Sequence, residues 1–180
     1  VNASAKQWLA LGARLVVGGV WIWAGLAKLT DPLGSVRAVQ AYDLLPTSLV
    51  EPVGYTLPAV EVVIGLALVV GVMTRGAAVI SVVLFAGFAI GIASAWARGL
   101  EIDCGCFGGG GYDPDAASKY PFEIARDAGL ALASVLVVWV GPGRFALDSV
   151  LFRRRTTDDL ECELDDLDRG ARRQDLEGVD

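Results

Sequence analysis

GAAVISVVLFAGFAIGIASAWA, residues 76–97, runs without one charged side chain. A bilayer core takes ~20 consecutive apolar residues per helix, so this stretch reads as a membrane span. Three other segments follow it. Residues 8–29 are interrupted by Arg14, residues 53–73 by Glu61, and residues 120–140 carry Glu123, Arg126 and Asp127 near their start. Each alone could be the core helix of a soluble protein. Four in 180 residues leave too little amphipathic surface to cover such a core. The first run could also pass as a cleaved signal peptide, but its length, its arginine and the spans that follow favour a retained helix. The composition agrees: 54% hydrophobic residues, against ~45–50% in ordinary soluble domains, and a mean hydropathy of +0.52. The expected fold is all-α, a four-helix transmembrane bundle in a multi-pass membrane protein.

Charge divides the chain in two. Ten acids fall between Thr156 and Asp180, so the formal charge of −6 belongs to the tail while the body is near neutral. The expected organisation is a transmembrane domain over residues 1–152 and a charged, disordered tail over residues 153–180. No basic face suited to nucleic acid is present. Lys6, Arg75 in the turn between spans two and three, Arg144 and the Arg153-Arg154-Arg155 triplet all fall on one side of an even-numbered bundle. The positive-inside rule puts that side, and both termini, in the cytoplasm of a cell (inner) membrane protein. The loop after the third span is then extracytoplasmic, and the acidic tail with Cys162 is cytoplasmic.

That outer loop contains Asp103-Cys104-Gly105-Cys106-Phe107-Gly108. Thiol–disulfide exchange needs an attacking thiolate and a second thiol to resolve the mixed disulfide. Cys104 and Cys106 supply both, and Gly105 can take the turn that brings them together. A structural staple closing so short a loop would stabilise little. The chain has no histidine, so a four-coordinate zinc site is not available on the outer side. A two-coordinate Cu(I) site remains a rival. Gly108 to Gly111 read as a flexible stretch that admits a partner or as a loose loop. In the third span, Gly87 and Gly91 mark a close helix approach.

Charged groups inside spans are costly and are functional candidates. Lys28, Glu61, Arg126 and Asp127, with Asp103 beside the pair, gather toward the cysteine end. Lys28 or Arg126 would stabilise a thiolate, and Glu61 would move protons. An ion-pair network, Lys28–Glu61 or Arg126–Glu61, is the competing reading. Trp21 and Trp23 could line a flat-ring pocket for a quinone, with packing against lipid the simpler alternative. Trp96 suits an outer aromatic belt.

Taken in order, Ala24-Gly25-Leu26-Ala27-Lys28 with Asp31-Pro32, Tyr42 to Pro46, Leu57-Pro58 through Glu61 to Gly65, and the Cys-Gly-Cys-Phe-Gly run resemble the MauE branch of the DoxX-like membrane proteins. The resemblance spans residues 11–140. It implies a redox-associated bundle working with an extracytoplasmic thioredoxin-like partner, in a system where the family member is linked to disulfide formation in a dehydrogenase subunit. The bundle is also similar to enzymes that pass electrons from thiols to quinones, although those carry additional cysteines. The expected function is a membrane thiol–disulfide oxidoreductase or electron-relay subunit. Cys104 and Cys106 would be catalytic, Lys28, Glu61, Asp103, Arg126 and Asp127 would tune the site, and a quinone is the candidate cofactor. The alternatives are a non-catalytic scaffold for a redox complex and a Cu(I)-handling protein.

Overall fold

The computed structural model describes residues 3–141 and is all-α. It contains five helices in those residues: α1 (Ala3–Thr30), α2 (Pro32–Ala41), α3 (Thr47–Val70), α4 (Thr74–Ala97) and α5 (Ala116–Val140). Three of them are long and apolar enough to cross a membrane: residues 5–30, 47–70 and 74–97. Helix α5 matches them in length, but Lys119, Glu123, Arg126 and Asp127 occupy its first half. Large apolar side chains such as Trp23, Val63, Val83, Ile90 and Leu132 stand exposed on the outside of the bundle. Such a surface suits lipid rather than water. The tail, its boundary near residue 152, and Cys162 lie outside the described residues.

Helix α1 packs on α3 and α5, and α4 on α5. The α1–α3 seam is built from small residues. A Cβ at Gly65 would lie 2.7 Å from the Gly18 carbonyl oxygen, and one at Gly25 would lie 2.7 Å from the Pro58 carbonyl oxygen. Dispersion and close backbone approach hold helices together where no hydrophobic drive exists between them. The expected close approach at Gly87 and Gly91 does not occur. A Cβ at Gly87 would meet nothing within 4 Å, and one at Gly91 would meet the Tyr42 ring no closer than 3.7 Å. Those two glycines border a cavity instead.

Trp21 also departs from the lipid-facing reading. It is fully buried, stacked on Phe85 at 4.3 Å, and its indole Nε1 donates to Ser81 Oγ at 2.9 Å. A polar ring atom buried in the core needs a partner, and Ser81 fills that need on α4.

Helix α2 replaces the single loop expected between the first two spans. Asp31 caps it by accepting from the Gly34 backbone N–H at 2.9 Å, and Pro32 takes the first turn, where its missing N–H is harmless. Its docking on α3 has a local cause. Pro58 lies inside α3 and cannot donate to the carbonyl four residues back, that of Gly54. Ser35 Oγ of α2 donates to that carbonyl at 2.9 Å. Gly54 lets the two helices meet, since a Cβ there would lie 2.7 Å from Val36 Cα.

Candidate functional site

The cysteine segment lies between α4 and α5 and is a fixed turn, not a loose loop. Ile102 and Tyr112 form an antiparallel bridge, and the Asp103 N–H donates to the Gly111 carbonyl at 2.9 Å. The Tyr120 hydroxyl of α5 is buried, donates to the Leu100 carbonyl at 2.7 Å and accepts from the Ile102 N–H at 3.3 Å. The Tyr42 hydroxyl donates to the Cys104 carbonyl at 3.2 Å. Burial holds the Tyr42 phenol well above its usual range, so it stays a neutral donor. The glycines are required by backbone geometry. Gly105 and Gly110 have φ of 64° and 110°, and a Cβ on either would lie 2.6 Å from Ala38 Cβ on α2. A side chain at either position would be both strained and in collision.

Both cysteines are free thiols and partly buried. The Gly105 N–H donates to Asp103 Oδ1 at 2.7 Å, which tightens the turn between them. The Cys106 N–H donates to Cys104 Sγ at 3.3 Å. The two sulfurs are therefore unequal. Hydrogen bonding from the Cys106 thiol pulls the Cys104 thiol below its ordinary value, helped by the Cys106 backbone N–H and Arg126 and opposed by burial and Glu123. As the donor in that contact, Cys106 is pushed well above the ordinary thiol value, with burial and Asp127 adding to the effect.

Of the other expected residues, Lys28 lines the same cavity as the pair, and Arg126 and Asp127 lie close enough to act electrostatically on Cys106. Lys28 Nζ meets Glu61 Oε1 at 2.6 Å in a buried ion pair and lies 5.3 Å from the centre of the Phe88 ring. Arg126 is paired with Asp127 at 3.0 Å, not with Glu61, and its guanidinium lies over Phe107 at 4.8 Å. Trp23, exposed on α1, contacts the same Phe107 ring at 5.2 Å. Phe107 thus joins α1, the cysteine turn and α5.

Glu123 stands out in the sequence only as a charge near the start of the fourth span. Its carboxylate lies beside the Cys104 thiol. The available signal is its place one helical turn before Asp127 and three residues after Tyr120. A cavity of about 240 Å³ also lies against the pair, lined by Lys28, Tyr42, Phe88, Gly91, Cys104 and Cys106 among others. Among the described residues, no group of three or more His, Cys, Asp or Glu side chains is arranged to hold a metal ion.

The family model described as "Methylamine utilisation protein MauE" matches residues 6–140, a stretch that takes in all five helices and the cysteine turn. The methylamine utilization protein MauE of Methylophilus methylotrophus is 36% identical over 134 residues, covering 73% of this chain and 68% of that protein. No solved structure matches the chain. With the family match running through the helices and the turn that carries Cys104 and Cys106, the chain belongs to the MauE family of membrane proteins.

Proposed function

We propose that this protein is a membrane thiol–disulfide exchange subunit. Cys104 is the attacking thiol, Cys106 the resolving thiol, and an extracytoplasmic thioredoxin-like protein the exchange partner. The observation that carries the proposal is the inequality of the two sulfurs: the Cys106 N–H donates to Cys104 Sγ at 3.3 Å, while the Cys106 thiol is turned to the Cys104 carbonyl at 3.8 Å, an arrangement that favours charge on Cys104. A thiolate attacks and a thiol does not.

In one direction the Cys104 thiolate attacks a sulfur of the partner's disulfide. That S–S bond breaks, a mixed disulfide forms, and the partner's leaving thiolate takes up a proton. Cys106 then loses its proton and attacks Cys104 Sγ. The mixed disulfide breaks, the second partner thiolate takes the proton, and the Cys104–Cys106 disulfide closes. The partner gains two electrons and two protons and the pair loses the same. The reverse reaction uses the same bonds, and the two reduction potentials set its direction. Arg126 favours charge on sulfur during the attack, and Glu123 is placed to accept or return a proton.

In this reading α5 is the fourth crossing, both termini are cytoplasmic, and the cysteine turn faces outward, where disulfides persist. The relative's name supports a setting in methylamine utilisation. The test is mixed-disulfide trapping in intact cells. Cys106→Ser should accumulate a covalent adduct between Cys104 and a thioredoxin-like protein, and Cys104→Ser should give much less. If neither variant captures such a protein, exchange is refuted. A membrane-impermeant thiol reagent should label the reduced pair from outside the cell; labelling only after lysis would refute the orientation.

A further inference from the structure

We propose that Asp127 is the proton acceptor for Cys106 when the Cys104–Cys106 disulfide closes. This deepens the exchange reading and rests on it for the order in which the two thiols act. Closure takes a proton from Cys106, whereas Glu123 lies beside the other sulfur, that of Cys104.

Helix α5 presents two carboxylates four residues apart, Glu123 and Asp127. That spacing puts them on one face, about 6 Å apart along the axis. The cysteine turn lies against the same stretch of helix, since the Arg126 guanidinium sits 4.8 Å from the centre of the Phe107 ring, one residue past Cys106. Each sulfur thus has its own carboxylate: Glu123 acts on Cys104, and Asp127 acts on Cys106. Asp127 is 2% exposed. Its Oδ1 accepts from Arg126 at 3.0 Å, while its Oδ2 is buried with no hydrogen-bond partner among the described residues. Buried polar atoms are seldom left unmet. One water between Oδ2 and the Cys106 thiol satisfies the carboxylate and completes a proton path.

The surrounding charges suit a group that takes a proton and gives it back. Arg126 on α5 and Lys28 on α1 are the cations that face Asp127. Glu123, one turn earlier, and the Cys106 thiol are the groups that become anions beside it. Glu61 of α3 is engaged by Lys28. Helix α4 also packs on α5, but its one charged residue is Arg75 in its first turn, near Gly141 at the other end of α5. In the step itself, the Cys106 S–H bond breaks, its proton passes to Asp127 Oδ2, and the thiolate attacks Cys104 Sγ. The bond from Cys104 to the partner sulfur breaks as the Cys104–Cys106 bond forms. The departing partner thiolate then takes the proton from Asp127, which ends as it began. The partner has gained the two electrons that the pair has lost.

A proton acceptor and a mere charge predict opposite signs. A carboxylate near a thiol disfavours the thiolate, and Asp127 does so at Cys106. If that were its whole effect, removing it would speed closure. Removing a proton acceptor slows closure.

The full chain in phosphatidylcholine nanodiscs, reduced and mixed with a symmetrical nitroaryl disulfide, provides the test. Attack by Cys104 releases one coloured thiolate and closure by Cys106 releases the second, so the ratio of the two rates isolates closure. Asp127→Asn should lower that ratio about 10²-fold at neutral pH, the usual loss when a general base is removed. Closure should then rise about tenfold per pH unit, with the thiolate fraction of Cys106. Asp127→Glu keeps a carboxylate and should recover at least about tenfold of the loss. Arg126→Gln with Asp127→Asn leaves neither charge buried alone and should show the same steep pH profile, which keeps the test readable if the single change unfolds the protein. Ser134→Ala, which removes a buried hydroxyl bonded to the Leu130 carbonyl seven residues further along α5, should close within about twofold of the parent. The inference is overturned if Asp127→Asn or the double variant closes as fast as the parent or faster, or if its pH profile matches the parent's. Closure that needs Asp127 while mixed-disulfide trapping fails would refute the protein partner and leave the proton role standing. Trapping that succeeds while closure ignores Asp127 would do the reverse.

Discussion

Replacing Lys28 with methionine tests whether the buried ion pair closes the bundle. Lys28 and Glu61 are 5% and 0% exposed, 2.6 Å apart, and Glu61 Oε2 has no hydrogen-bond partner among the described residues. Methionine keeps most of the lysine's length and removes its charge, so Glu61 is left buried against apolar groups. Breaking a buried pair from one side costs about 3–5 kcal/mol. At ~1.4 kcal/mol per factor of ten, the folding equilibrium falls by roughly 150- to 5,000-fold. Glu61→Gln leaves the Lys28 ammonium buried without a counter-charge and should fall toward the lower end of the same range, about 3 kcal/mol, because an amide oxygen still accepts from Lys28 and the ammonium keeps its place near Phe88. The double variant Lys28→Met/Glu61→Gln removes both charges and should cost about 1–3 kcal/mol, less than the two single changes added together. Reversible unfolding in mixed micelles, followed by tryptophan fluorescence, gives the four values of the cycle. A Lys28→Met loss below ~1 kcal/mol, or single costs that simply add, would refute a desolvated pair.

The sulfur inequality predicts two steps in a pH series of alkylation. Cys104 should reach half its limiting rate at a pH below the ordinary thiol value of ~8.5 and Cys106 at a pH above it, since thiolate accumulates as pH rises through each group's own value. Cys106→Ala removes the thiol donor and should move the Cys104 curve to higher pH, which peptide mapping of the alkylated protein will read. Gly65→Leu should destabilise the bundle by about 1–3 kcal/mol or splay α1 from α3, because even a Cβ would lie 2.7 Å from the Gly18 carbonyl. Thermal unfolding of the variant in nanodiscs checks it, and an unchanged midpoint would refute the tight seam.

Much of the bundle was legible because apolar run length is a direct physical signal. The uncharged run at residues 76–97 corresponds to α4 within two residues, and the other long helices begin a few residues earlier than their apolar stretches. Turn and cap chemistry is harder to read. Asp31-Pro32 is a helix start, but the ten residues of α2 include Gly34, Ser35, Arg37 and Gln40 and form no apolar run, so the segment reads as part of a loop. The four consecutive glycines suggest looseness because composition does not reveal φ. All four adopt positive angles in a packed turn. Around the cysteines, the sequence could bring Lys28, Glu61, Arg126 and Asp127 to one end of the bundle but could not choose their partners. Rotation about each helix axis decides that Arg126 meets Asp127 and Phe107, and no linear pattern records that rotation. The cavity was invisible for the same reason: Gly87 and Gly91 read alike whether a helix or a void lies opposite.

Pro58 also bears on how the protein is assembled. Taken alone, α3 emerges from synthesis with a gap in its hydrogen-bond ladder at Gly54, and an unmet carbonyl in an apolar medium costs several kcal/mol. The hydroxyl that closes the gap belongs to Ser35, made nineteen residues earlier. The segment preceding α3 is therefore already available as a chaperone in cis, and biogenesis can proceed in chain order without waiting for α4 or α5.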